Sequence, residues 1–169
     1  MDDNYNDSTP VDENGAKDAN FMSKDLQQML EVAEKTLEKE KDPKEFSKVL
    51  KYTQSKMTKG QKSSMFYAII TAYCLLKVGK QQDAIDILNE YKQIKASDTQ
   101  TAMYQASVFT GLGRYSDSTA LLEYILNIFP SKKSLQEELF YSYVREGKLL
   151  KQQNQALTMY KNSQLEIYA

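Results

Sequence analysis

Histidine and tryptophan are absent from this chain of 169 residues, and cysteine occurs only once. Without histidine, the chain lacks the commonest general base and the commonest metal ligand of proteins. With a single thiol, Cys74, it can form neither an internal disulfide nor a cluster of thiolates around zinc. Most hydrolytic and metal chemistry is therefore left without its usual residues. We expect a protein that is not an enzyme and that binds no metal and no cofactor.

Long hydrophobic runs are also missing. No segment approaches the roughly 20 apolar residues of a membrane helix, and the start Met1-Asp2-Asp3 lacks the basic and apolar regions of a secretory signal. We therefore expect a cytoplasmic protein with no membrane contact. The 22 basic and 23 acidic residues nearly cancel, and this balance gives no indication of specific DNA binding.

The composition of the chain changes at Ser23. Residues 1–22 are rich in Asp, Asn and small residues and hold few large apolar groups, which predicts a disordered acidic tail. From Ser23 onward, apolar residues recur at steps of three and four, which predicts a helix with Ser23 as its N-cap. Pro43 ends that helix and starts a second one, which runs to a turn at Gly60. We expect a leading helix pair over residues 23–64.

Three glycines, Gly79, Gly113 and Gly147, are spaced 34 residues apart, and each lies between amphipathic runs of helical length. A period of about 34 residues is that of the tetratricopeptide repeat, in which antiparallel helix pairs stack on one another. No pattern typical of strands competes with this interpretation. The sequence therefore predicts an all-α, tetratricopeptide-like solenoid with three repeats within residues 65–166, namely 65–98, 99–132 and 133–166.

Residues around the three glycines repeat in kind, as they must if each position has one packing role. The positions expected to be small and tightly packed, seven residues before and five after each glycine, are Ala72, Ala106 and Phe140, and Ala84, Ser118 and Gln152. The positions expected to be large, four residues before and nine after, are Leu75, Phe109 and Tyr143, and Leu88, Leu122 and Ala156. The third repeat departs from the pattern at Phe140, Gln152 and Ala156.

The first helices of the pairs are expected to carry the binding surface. In stacked repeats they line the concave face, so their side chains that are not used in packing are the candidate binding groups. The predicted partner-binding residues are Phe66, Ile69, Tyr73, Met103, Tyr104 and Tyr141. An apolar groove of this kind suits a helix of a protein partner laid along it. The alternative is that neighbouring helices of a longer array fill the groove.

Two basic stretches leave two interpretations open. One comprises Lys48, Lys51, Lys56, Lys59 and Lys62, and the other comprises Lys132, Lys133, Lys148 and Lys151. They can be solvated helix faces, or they can contact a polyanion such as ribosomal RNA, with an affinity that falls steeply with salt.

The segment PSKKSLQEELFYSYVREGKLLKQQNQALTMYK, which begins at Pro130, resembles the early repeats of the auxiliary subunit of the N-terminal acetyltransferase B (NatB) complex. The matching residues are Leu139, Phe140, Tyr143, Arg145, Gly147, Gln152, Gln153, Ala156, Leu157, Tyr160 and Lys161. A second stretch, LLKVGKQQDAIDIL from Leu75, is similar to an earlier repeat of that family. The resemblance extends over about residues 45–165.

The resemblance implies a non-catalytic helical scaffold that holds a separate acetyltransferase catalytic subunit at the ribosome. That catalytic subunit uses acetyl-CoA to modify nascent chains, and the auxiliary subunit positions it without catalysing the reaction. This chain departs from the family in being several times shorter, and its residues 1–60 fit the pattern less well. The alternative is a generic tetratricopeptide-repeat adaptor that recruits an unrelated peptide or helical partner.

Overall fold

A computed structural model describes residues 17–57, 64–92 and 94–168, and over these ranges the chain is all-α. The helices of the described ranges are α1 Lys24–Glu40, α2 Phe46–Met57, α3 Ser64–Lys77, α4 Gln81–Glu90, α5 Thr99–Gly111, α6 Tyr115–Ile128, α7 Lys133–Arg145 and α8 Leu149–Tyr168. Most of them pack against their neighbours in sequence, and α3 also packs against α5. None of the helices in this described part is long and apolar enough to cross a membrane.

The leading pair begins and ends at the residues that favour helix boundaries. The Ser23 hydroxyl accepts a hydrogen bond from the Leu26 amide at 3.2 Å, which confirms Ser23 as the N-cap of α1. Lys41 ends α1 in the left-handed region with φ of 56°. Pro43 then lies in the turn before α2, with its carbonyl accepting from the Phe46 amide at 3.0 Å. The predicted turn at Gly60 lies outside the described residues.

The three glycines spaced 34 residues apart form equivalent turns. Gly79, Gly113 and Gly147 have φ of 80°, 73° and 66°, a conformation that residues with a Cβ rarely adopt. The amide after each glycine donates to a carbonyl five residues earlier, as Lys80 does to Leu75 at 2.8 Å. This is the C-terminal arrangement that lets a helix end and the chain reverse within two residues. Each turn therefore connects the two helices of one pair.

Most of the repeated packing positions are buried, including Tyr143 of the third repeat, whereas Phe109 and Phe140 are half-buried and the positions on α8 are more open. Ala72, Ala84, Ala106 and Ser118 are buried at the predicted small positions, and Leu88 and Leu122 are buried at the large ones. The Ser118 hydroxyl also donates to the Ala106 carbonyl at 3.1 Å, so the two helices approach closely there. In α8, by contrast, Gln152 is half-buried and Ala156 is exposed.

Part of the segment expected to be a disordered tail is folded onto the repeats. Residues 1–16 lie outside the described residues, but Asp18 is 7% exposed. Its carboxylate accepts from the Thr99 amide at 2.9 Å and from the Thr99 hydroxyl at 2.6 Å, at the start of α5. Lys132 pairs with the same carboxylate at 2.8 Å. The expectation of disorder up to residue 22 is therefore wrong, because an acid at a helix N-terminus gains hydrogen bonds that composition does not reveal.

The close approach of the paired helices can be tested at their small residues. Ala84 and Ala106 are 0% and 1% exposed, so Ala84→Leu and Ala106→Leu should each lower the free energy of unfolding by about 1–3 kcal/mol through overpacking. Ala156→Leu, at an exposed position of α8, is the control and should leave stability nearly unchanged. Urea denaturation followed by circular dichroism measures all three. Equal stability of the variants and the wild type would contradict the helix register.

The Asp18 contact can be tested through its pH dependence. Burial raises the pKa of the Asp18 carboxyl, but the hydrogen bonds from Lys132 and Thr99 outweigh burial and hold the pKa below its ordinary value. Its stabilisation is therefore present above the ordinary aspartate pKa of about 3.9 and is lost as the pH falls through the lower folded-state pKa. Asp18→Asn should lower the free energy of unfolding by about 1–3 kcal/mol at neutral pH and by less in acid. Asp25→Asn should lower it little at either pH.

Candidate protein-binding site

The helices α3, α5 and α7 form the first-helix face, where the binding residues were expected, and α1 lies against part of it. Leu26, Leu30 and Ala33 of α1 belong to the same buried cluster as Phe66 and Ile70 of α3. This cluster, which also contains Phe46 and Val49 of α2, removes one apolar side of α3 from solvent. The leading helix of the chain itself thus fills the most apolar part of the predicted groove.

Two of the six predicted binding residues are core residues. Phe66 is 1% exposed and packs in the cluster with α1, and Ile69 is 0% exposed and packs with residues of α4 and α5 such as Leu88 and Val108. Their assignment to an accessible groove is therefore wrong. A sequence signal for this was available, because α3 is apolar on all sides, and a helix of that kind is usually buried all round.

Tyr73 connects α1 to the first-helix face. Its hydroxyl donates to the Glu34 carboxylate of α1 at 3.0 Å, and its ring meets the Tyr104 ring edge-on with centroids 5.1 Å apart. Burial and the neighbouring Glu34 charge raise the pKa of Tyr73, and burial raises the pKa of Tyr104 to about 12. Both phenols therefore stay protonated, and the Tyr73 hydroxyl is occupied by its hydrogen bond to α1.

Met103 and Tyr104 do reach an open cavity, of about 390 Å³. The other described residues around it come from the chain before α1, from α1 itself and from the starts of α5 and α7: Met22, Gln27, Leu30, Glu31, Glu34, Thr99, Gln100 and Ser134. Its walls are apolar at Met103 and Tyr104 and acidic along α1. We call it the α1–α5 cavity. Sequence reasoning missed its acidic wall because nothing in the sequence placed α1 beside α5.

Tyr141 lies apart from the other candidates. It is 56% exposed on α7, and its ring meets that of Phe140 edge-on with centroids 5.5 Å apart. Its position is 68 residues, or two repeats, after Tyr73, and Tyr73 packs against the following first helix. Tyr141 thus occupies an equivalent position on the last described pair and does not contribute to the α1–α5 cavity.

The second basic stretch is largely paired with acids. Lys132 pairs with Asp18, Lys148 pairs with Glu146, and Lys151 pairs with Glu123 at 2.7 Å. In the first stretch Lys48 pairs with Glu45 at 2.7 Å, and Lys59 and Lys62 lie outside the described residues. These ion pairs lower the net positive charge available for a polyanion.

The contact between Tyr73 and α1 yields a test. Tyr73→Phe keeps the ring and removes the hydroxyl, so the half-buried Glu34 loses a donor and the free energy of unfolding should fall by about 0.5–1.5 kcal/mol. Tyr141→Phe removes an exposed hydroxyl and should change little. Thermal melts of the two variants measure the difference. If both melts match the wild type, α1 is not held by this hydrogen bond.

Comparison with known proteins shows the family of this chain. No curated protein and no solved structure matches the chain at a significant level. The family described as "Psidin, N-terminal TPR repeats region" matches residues 39–169, a range that begins at the end of α1 and includes all later helices. The glycine period, the equivalent turns and this match agree, and the chain belongs to the family of the Psidin N-terminal TPR repeats region.

Proposed function

We propose that this chain is a non-catalytic, cytoplasmic scaffold whose first-helix face holds the catalytic subunit of a NatB-type acetyltransferase. The observation that carries the proposal is the α1–α5 cavity, where Met103 and Tyr104 remain accessible beside the part of the face that α1 covers. Helical repeats of this family commonly bind other proteins through such faces. The resemblance of the third repeat to the NatB auxiliary subunit supports the choice of partner.

The cavity has a definite chemical preference. Glu31 and Glu34 lie on one wall and Met103 and Tyr104 on the other. A helix with an apolar side chain next to a lysine or arginine suits both walls. The apolar side chain would be buried against Met103 and Tyr104, and the cation would pair with the acids of α1. We expect the bound segment of the partner to be an amphipathic helix with a basic edge.

A second candidate function is an adaptor for an unrelated partner. The same acidic and apolar cavity would accept a basic amphipathic helix from any protein, and α1, which forms one wall, lies almost wholly outside the residues that match the family. In that case the binding chemistry is unchanged, and the partner is not an acetyltransferase.

Co-purification from the native cell separates the two candidates. A tagged chain should retain an acetyltransferase catalytic subunit, while the purified chain alone should neither bind acetyl-CoA nor acetylate a peptide that begins Met-Asp. Consistent recovery of a different helical partner would favour the adaptor. Acetyl transfer by the chain alone would contradict a non-catalytic scaffold.

A matched pair of charge reversals tests the cavity itself. Glu31→Lys reverses a charge on the cavity wall, and Glu38→Lys makes the same change on an exposed position of α1 that does not border the cavity. Glu31→Lys should weaken capture of the partner by about tenfold, and Glu38→Lys should not. Equal capture by the two variants would place the binding surface elsewhere.

A further inference from the structure

A second cleft lies on the side of the chain formed by the second helices of the pairs. It has a volume of about 330 Å³ and is separate from the α1–α5 cavity, with which it shares no residue. We call it the α4–α6 cleft. Its lining residues come from α4, the connection to α5, α5 and α6, and are Leu88, Lys92, Ile94, Lys95, Gln105, Phe109, Arg114, Asp117, Ala120, Leu121 and Tyr124.

The floor and walls of the α4–α6 cleft are apolar. Leu88 is buried at the floor, and Phe109, Leu121 and Tyr124 are half-buried, so these three keep part of their side chains available to a ligand. Ile94 is 52% exposed at the edge. An apolar side chain entering the cleft would displace water from all of these surfaces, which is favourable in proportion to the area buried.

The rim of the cleft is positively charged. The Lys95 ammonium lies 4.5 Å from the centre of the Tyr124 ring, and the Arg114 guanidinium lies 4.8 Å from that of Phe109. Both cations are thus held beside the opening by cation–π contacts. Asp117 pairs with Arg114 at 2.6 Å and neutralises it, which leaves Lys95 and the exposed Lys92 as the excess charge.

One residue that lines the cleft has a side-chain acceptor without a donor among the described residues. This residue is Gln105, which is 5% exposed and whose Oε1 is buried. A buried acceptor left unpaired costs free energy that a ligand donor can recover. Each feature of the cleft suits one group of a peptide. The apolar walls suit an apolar side chain, the cationic rim suits a nearby carboxylate, and the Gln105 acceptor suits a backbone N–H.

We propose that the α4–α6 cleft is a second protein-binding site, which takes an acidic peptide segment of another protein with one large apolar residue as its anchor. The anchor packs against Leu88, Phe109 and Leu121. The flanking acids lie near Lys92 and Lys95. A backbone N–H next to the anchor donates to Gln105. The scaffold can then hold a basic helix on one side and an acidic peptide on the other.

Selection from short random peptides displayed on phage tests the chemistry directly, with the intact chain as bait. Peptides enriched on the wild-type chain, and not on a chain carrying Lys92→Glu with Lys95→Glu, should contain Asp or Glu beside Leu, Ile, Phe or Met. Enrichment of basic or uncharged peptides, or no enrichment that depends on these lysines, would overturn the proposal.

Titration of an enriched synthetic peptide, followed by fluorescence anisotropy, tests the individual contacts. Lys92→Glu with Lys95→Glu should raise the dissociation constant by more than about tenfold, and Lys51→Glu with Lys161→Glu makes the same charge change at exposed positions away from the cleft and should not. Gln105→Met should raise it by about tenfold, because the acceptor is lost. All replaced lysines are exposed, so these variants should remain folded, which circular dichroism checks.

Equal affinity of the two double variants would show that the peptide binds elsewhere and would overturn the site. Unchanged affinity of a folded Gln105→Met chain would remove the hydrogen bond from the proposal. If Gln105→Met does not fold, the double variants still decide the location. Glu31→Lys should not change this affinity, so failure at the α4–α6 cleft and failure at the α1–α5 cavity can be told apart.

Discussion

Burial of the apolar stripe of α1 in one cluster with α2 and α3 determines which part of the first-helix face stays available to a partner. Leu26, Leu30 and Ala33 share one cluster with Phe66 and Ile70, so the most apolar part of the first-helix face is covered within the chain. The contact also places Glu34 beside Tyr73. Beside this covered part lies the open α1–α5 cavity, with the acids of α1 on one wall. The position of α1 thus covers apolar residues of α3 and adds acidic residues to the surface that stays accessible.

Features fixed by local geometry could be predicted from the sequence. Gly79 and its equivalents mark turns that need positive φ, and Ala84 and Ala106 mark positions where two helices touch, so their spacing gives both the repeat and its register. The third repeat was harder, because α8 packs on one side only. Ala156 is exposed there although its equivalent Leu122 is buried. A position that is not buried does not need a large apolar residue, so the repeat pattern is weaker in α8.

The candidate site was less predictable because accessibility depends on contacts between distant segments. Phe66 and Met103 are both apolar residues of a first helix, yet Phe66 is core and Met103 borders a cavity. The difference depends on where α1 packs. The periodicity of the α1 sequence shows which side of α1 is buried, but it does not show which helices that side contacts. Asp18 illustrates the same limit, since its partner Thr99 is 81 residues away in the sequence.

Exposed apolar residues on α7 and α8 follow from the repeat and need no site of their own. Leu150 and Leu157 lie 34 residues after Ser116 and Glu123, which contact Glu146 and Tyr143 of the next pair. A repeat buries these positions only against a following pair, and α7 and α8 have no such pair among the described helices. The same reasoning explains the exposure of Tyr141, two repeats after Tyr73. Exposure here reflects position in the stack, whereas in the α4–α6 cleft a buried acceptor and a cationic rim coincide, and that combination is what points to a ligand.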